Sequence, residues 1–460
     1  MVRERKFYRT LLLIALPVAF QSFISLGVNM LDNIMVGSLD EITLSGVALA
    51  NQLVVFITFF IRGVSGGASV LISQYWGKKD MEKIKTIFAI IFQFVTISIL
   101  IIGTFVFLFP TQIMRLFAND EAVIMKSAEF LKIIAFSFVL FAISDVLISM
   151  LRCVEVVKIG LINSIVTLFT NLFFNYMLIF GHWIFPALGM RGAGYATCIA
   201  RTVEFSVVIF YVFVVDKRLK FRLKDIFRKN KLLFQDFFKF GMPIVAGDMQ
   251  WGLVGVFKAM IIGHLGASMI AANSIAEVVL SLGAVFTNGL SSAACVVIGK
   301  SIGESKGDYT LTQKYSSTIQ WLFFMVGFVM MGFIFLFRHV PVSFYNISEE
   351  TKALANTLLA IGAVTMLGTT YHAACFTGIN RGGGDSRFVF LIDMMCGWGI
   401  VLPLSLLVAF VIPWANPAWT LPLTFLMTKI DQCFKWIIAF FRLRGTKWIK
   451  IVTRDEKNSL

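Results

Sequence analysis

The sequence predicts an all-α integral membrane protein of twelve transmembrane helices, arranged as two six-helix parallel-repeat lobes around a central cleft. Three observations carry that expectation. Hydrophobic residues make up 58% of the 460 and charged residues only 15%, against roughly 45–50% and 25% in soluble domains. The apolar residues come in blocks of about 20 or more, the length that crosses a hydrocarbon core of roughly 30 Å. A shift of 226 positions lays the first half on the second: Pro17 falls on Pro243, Gly37 on Gly263, Leu39 on Leu265, Gly63 on Gly289, Ser65 on Ser291, Ala68 on Ala294 and Gly77 on Gly303.

Apolar runs between polar breaks place the spans near residues 11–36, 44–73, 86–109, 127–151, 159–181 and 189–215 in the first half. The second half gives 238–263, 270–299, 314–337, 353–379, 387–412 and 417–441. The N-lobe is thus 1–215, a basic linker 216–237, the C-lobe 238–441 and a basic tail 442–460. Arg3, Arg5, Lys6 and Arg9 precede the first apolar run, as in a signal peptide. That run is too long for one and no small-residue cleavage site follows, so it reads as a retained span.

Basic residues crowd the N-terminus, GKKDMEKIK (77–85), the linker KRLKFRLKDIFRKNK and the tail, whereas SLDEIT (38–43), GHLGAS (263–268) and PWANPAW (413–419) have none. The positive-inside rule then puts both termini on the cytoplasmic side of the plasma membrane. This also accounts for the net charge of +15. Aromatic residues interleave with apolar ones and not with the basic groups, so no nucleic acid is expected; lipids and small molecules are the expected partners. Repeats with an even number of spans share one orientation and are related by an axis along the membrane normal, the plan of alternating-access transporters.

Enzyme chemistry finds little support. His182, His264, His339 and His372 lie far apart without a metal-binding pair, the six cysteines lack ligand spacing, and there is no phosphate loop. Neither a metal nor an organic cofactor is expected.

Charges at span depth cost at least about 2.5–3.5 kcal/mol, so each needs a partner or a task. Ser25, Asn29 and Asp32 fall on one face of the first span. Asn171 and Asn175 are one turn apart on the fifth, so their amide oxygens can face a common cation, and Thr197 on the sixth can add a hydroxyl. Asp32 is either a cation site or a carboxylate with a structural partner. Asp248, Lys258 and Glu277 are the C-lobe counterparts, with Lys258 at the repeat equivalent of Asp32. Asp248 and Lys258 stand about 15 Å apart along one helix, so Lys258 is expected to meet Glu277.

Arg201 with Glu204, three apart, is expected to pair. Lys429 and Lys435 are expected to snorkel to headgroups, and Arg152 and Arg381 to mark cytoplasmic span ends. Met249, Trp251 and Tyr371 are the candidates for a cargo-contacting cleft surface, drawn from a chain with 48 Phe and 20 Met. Pro17 and Pro243 either bend during gating or hold fixed kinks.

The stretch LPVAFQSFISLGVNMLDNIMVGSLDEITLSGVALANQ (16–52) resembles the opening of multidrug and toxin extrusion transporters, and VLISQYWGKKD (70–80), TNLFFNYMLIFG (170–181), GMRGAGYATCIAR (189–201) and GINRGGGDSRF (378–388) resemble its later landmarks. The resemblance implies secondary active export of amphipathic organic cations by a monomer, driven by protons or sodium ions. It also implies that Asp32, Asn171 and Asn175 belong to an N-lobe cation-coupling site, with sodium possible at Asp32. Asn175 stands where some members carry a second Asp, which favours the proton. A seventh-span Glu of some relatives is Trp251 here, and a tenth-span acid is Thr370. The superfamily's flippases for lipid-linked saccharides supply the alternative.

Overall fold

The computed structural model describes residues 2, 4–118, 120–305, 307–345, 347–412 and 419–454. Its framework is helical: α1 (Arg5–Gly37), α2 (Glu41–Gly77), α3 (Met81–Leu108), α4 (Glu121–Cys153), α5 (Lys158–Phe180) and α6 (Met190–Val215) form the N-lobe. The C-lobe follows with α7 (Lys231–Gly263), α8 (Ala267–Glu304), α9 (Thr310–Ser343), α10 (Glu349–Asn380) and α11 (Ser386–Val411). Short polar side chains start several of these helices by accepting from otherwise unpaired amides. Asp40 accepts from Thr43 N at 2.8 Å, Asp80 from Lys83 N at 3.1 Å, and Asn230 from Leu232 N and Leu233 N at 3.0 Å.

Eleven described helices are long and apolar enough to cross a membrane. The expected twelfth is broken into Thr420–Thr428 and Asp431–Arg444, together called α12. Around the break, Gln432 N turns back to Lys429 O and Cys433 N to Ile430 O, both at 3.0 Å, replacing the usual longer-range helical bonds. Such a break at membrane depth is tolerated only inside protein. Gly368 of α10 supplies the cover: a side chain there would run into Gln432 O. PWANPAW, apart from Trp419, lies outside the described residues, as do Arg3 and 455–460 of the tail.

Two boundaries move. Residues 231–237, expected in the linker, are the first turns of α7, which is interrupted at Gly241. Pro243 therefore stands in the first turn of the segment Met242–Gly263, where no amide hydrogen bond is lost, whereas Pro17 lies inside an unbroken α1. The two proline positions are equivalent in sequence and different in mechanics.

The duplication is legible in the fold. Adding 226 to the ends of α1, 5 and 37, gives 231 and 263, the ends of α7. The lobes join by α1 against α8 and α2 against α7. A Cβ built on Gly77 would stand 2.9 Å from Gly303 Cα, and one on Gly303 2.9 Å from Gly77 Cα. Equivalent residues that touch each other lie on the axis relating the repeats. Off the axis the contacts come in matched pairs: Gly63 faces Val245 and Gly289 faces Ala19, again 226 apart. Close backbone approach of this kind supplies van der Waals packing where lipid offers no hydrophobic drive.

These cross-lobe contacts sit in the half of the bundle that carries the basic connections. At the other end, Gly27, Gly255 and Gly263 have open space where a side chain would be. The tail reinforces the closed half. Leaving α12, it buries Trp448 against Gly383 and reaches the N-lobe, where Gln74 Nε2 donates to Lys450 O at 3.0 Å and Val452 N donates to Gln74 Oε1 at 3.0 Å. Arg454 closes it with two bonds to Asp236 at 2.6 and 2.7 Å.

Candidate functional site

In the N-lobe, α1 and α5 bring the expected polar group together. The half-buried Asp32 accepts a hydrogen bond from Asn175 Nδ2, which also donates to Asn171 Oδ1 at 3.0 Å. Both asparagines are buried, and Asn175 Oδ1 has no partner. The Asp32 carboxylate and Asn171 Oδ1 both face the Asn175 NH2 group, so one acid sits among neutral amides, a setting suited to holding a proton or a small hard cation. Thr197 does not join them: its hydroxyl donates to Ala193 O at 3.0 Å in its own helix.

A second polar layer lies beneath. Arg201 pairs with Glu204 at 2.6 Å, as the spacing implied, and Asn163 Nδ2 donates to Glu204 Oε1 at 3.2 Å. Arg201 also lies 4.1 Å over the Phe141 ring. Ser65 donates to Asp145 at 3.2 Å, which gives that acid a structural partner.

The C-lobe charges pair differently from the expectation. Asp248 binds Arg381 through both guanidinium nitrogens, so Arg381 is no mere topology marker but the counter-ion of α7. Arg152 too turns inward, with guanidinium nitrogens 3.5 Å from Gln21 Oε1 and from Ser292 Oγ. Lys435, expected to snorkel, is wholly buried, at 2.8 Å from Asp393 and 3.0 Å from Asp431, whose own exposure is 0%. The break in α12 explains this, because it turns Asp431 and Lys435 into the lobe. His372 Nε2 lies 3.7 Å from the same Asp393 oxygen that Lys435 holds.

Glu277 meets Lys429 at 2.8 Å and not Lys258. The Lys258 ammonium sits 5.2 Å over Trp251, and Lys435 lies 4.4 Å from the same ring. Trp251 is therefore turned into the C-lobe, and Met249 packs half-buried in the main core. Tyr371 faces away from the interlobe cleft: it donates to Gln320 Oε1 at 2.8 Å and lines a groove of about 480 Å³ with Trp321 and Trp436, between α9, α10 and α12. A larger apolar groove, about 810 Å³, runs between α1, α8 and α9 past Phe20, Phe23 and Phe286. The sequence signal for the missed network was available in Arg381, Asp393, Asp431 and Lys435, four charges in apolar context, but their pairing depends on a helix break that periodicity does not reveal.

Against known protein families, residues 17–177 and 249–407 match MatE. The chain is 24% identical over 394 residues to a probable multidrug resistance protein NorM of Streptococcus pneumoniae, covering 85% of this chain and 86% of that one. A multidrug resistance protein MdtK of Photorhabdus laumondii is 24% identical, with 86% of each covered. Among solved structures, a MATE in complex with MaL6 superposes with a TM-score of 0.85 at 16% identity, covering 95% of this chain and 96% of that one. A MATE family transporter of the MOP superfamily in an outward-facing conformation gives 0.83 at 16% identity, with the same coverage. These likenesses establish the fold.

Proposed function

Because this chain belongs to the MatE family of multidrug and toxin extrusion transporters, we propose that it exports amphipathic organic cations in exchange for inward-moving protons. The observation that carries the reading is the Asp32, Asn175 and Asn171 cluster in the N-lobe. A single carboxylate neutralises one cation at a time, so a proton and an organic cation that both draw on Asp32 oppose each other's binding, by the same factor in each direction. That reciprocity is the thermodynamic content of exchange.

The proton is preferred over sodium because Asn175 contributes an amide where a second carboxylate would strengthen a metal site. The basic half, closed by the repeat contacts and the tail, is taken as cytoplasmic under the positive-inside rule, with both termini there and the protein in the plasma membrane. The lobes then part toward the outside. Alternating access requires the Gly77, Gly303 contact and the tail to release when the other side opens. The reading calls for a transporter without enzymatic chemistry, working as a monomer. A flippase would need a cleft lined by many free Arg and Lys, whereas Arg381, Lys429 and Lys435 are held by carboxylates and, of these C-lobe cations among the described residues, Lys258 alone is not.

Reconstituted vesicles with proton and sodium gradients imposed separately test the proposal. A proton gradient alone is expected to drive accumulation of an organic cation, and sodium alone to have no effect. Transport driven only by sodium would overturn the choice of ion, and transport indifferent to both would overturn coupling.

A further inference from the structure

Lys258 stands apart from the other C-lobe cations at span depth. Arg381, Lys429 and Lys435 each hold a carboxylate within ion-pair distance, and Lys258 holds none among the described residues. An unpaired ammonium there costs at least about 2.5–3.5 kcal/mol. Its usual escape is to snorkel, and the helix end at Gly263 is only five residues, about 7.5 Å, away. The side chain goes the other way. Trp251 lies seven residues, about 10.5 Å, deeper along α7, and the ammonium sits over its ring at 5.2 Å.

The charge balance of the lobe explains how this is tolerated. Lys435 serves both Asp393 and Asp431, which leaves one negative charge in excess, and Asp431 Oδ1 is buried without a partner. That excess offsets Lys258 at long range without occupying it. The negative charge is inaccessible, since Asp431 has 0% side-chain exposure, while Lys258 is half-buried and reachable. The accessible valence in this part of the C-lobe is thus positive, at the repeat position that holds Asp32 in the N-lobe. Both lie five residues before the end of their helices, Gly37 and Gly263, in the half away from the basic connections.

We propose that Lys258 binds an anionic group of the cargo against Trp251, so that the preferred cargo is an aromatic zwitterion carrying a carboxylate as well as an amine. The ammonium donates to the carboxylate, the indole packs on the aromatic part, and the cargo amine is left for the acidic N-lobe. This deepens the exporter reading and rests on it for the direction of transport, but the recognition itself needs no ion gradient.

A matched pair of fluorescent probes tests it. Dansylcadaverine is an aromatic amine, and Nε-dansyl-lysine is the same molecule with one added carboxylate. Equilibrium binding to the purified full-length protein is read by energy transfer from tryptophan to dansyl. Wild type is expected to favour the carboxylate probe about tenfold, the lower range for a bond to a charged group. Lys258→Gln is expected to bring the ratio to about one, and Lys258→Arg to keep most of the preference. Absence of a preference in wild type overturns the proposal, as does a preference that survives in Lys258→Gln. Because the readout is a ratio of two ligands on one sample, partial loss of folded protein cancels. Asp32→Asn, which tests coupling, is expected to leave the ratio unchanged, so failure of the exchange reading and failure of this one are separable.

Discussion

The two lobes share one framework and carry opposite chemistry on it. In the N-lobe, Asp32 faces neutral amides, with Arg201 and Glu204 already satisfied by each other. In the C-lobe, the equivalent position is a lysine among paired ions, and Trp251 takes the contact. Helix ends that coincide under a shift of 226 residues show how closely the backbone was kept. Duplication constrained the surfaces where the repeats meet, Gly77 on Gly303 and the matched pair of Gly63 on Val245 and Gly289 on Ala19, and left the lobe interiors free to divide the work.

The largest effect expected from this contrast concerns buried charge. Lys435→Met leaves Asp393 and Asp431 facing each other without a cation, and thermal unfolding of the purified protein should show a loss of about 3–5 kcal/mol. Arg201→Met strands one buried carboxylate and not two, and Glu204 keeps its hydrogen bond from Asn163, so it should cost clearly less. Equal losses would mean that the lobes do not differ in how they hold ions.

Next comes the seam. Gly77→Leu and Gly303→Leu push against Lys300 O and Gln74 O in turn, and each should cost about 1–3 kcal/mol in the same unfolding assay. The symmetry account requires the two losses to match within about 1 kcal/mol. Asn175→Asp places a second carboxylate beside Asp32, and a sodium gradient alone, without effect on wild type, should then drive accumulation in vesicles. The smallest effect is at the tail. Asp236→Asn weakens the bond to Arg454, which is 34% exposed; a change of about 0.2–1 kcal/mol is expected at low salt, fading in about 1 M salt.

How much of this was legible in the sequence follows from physical range. Span number and the repeat rest on period and length, and the meeting of Asp32 with Asn175 on the family resemblance; all three reappear in the fold. Thr197 failed because a hydroxyl inside a helix has its own backbone carbonyl as a near competitor. Glu277 pairs with Lys429 and not with Lys258, because Lys429 stands at the break in α12, which helical periodicity does not reveal. Tyr371 was misplaced for a similar reason: the face that a residue of α10 presents depends on which of α8, α9 and α12 lies beside it. Local pattern specifies elements, whereas charge pairing between spans depends on breaks and crossings set by the whole bundle.

The division of labour itself is tested most directly by Asp32→Asn, with cargo binding and gradient-driven efflux measured on the same preparation. The preference for the carboxylate probe over its amine partner is expected to persist while proton-driven efflux is lost. Full proton-driven efflux in Asp32→Asn would contradict the assignment of coupling to the N-lobe.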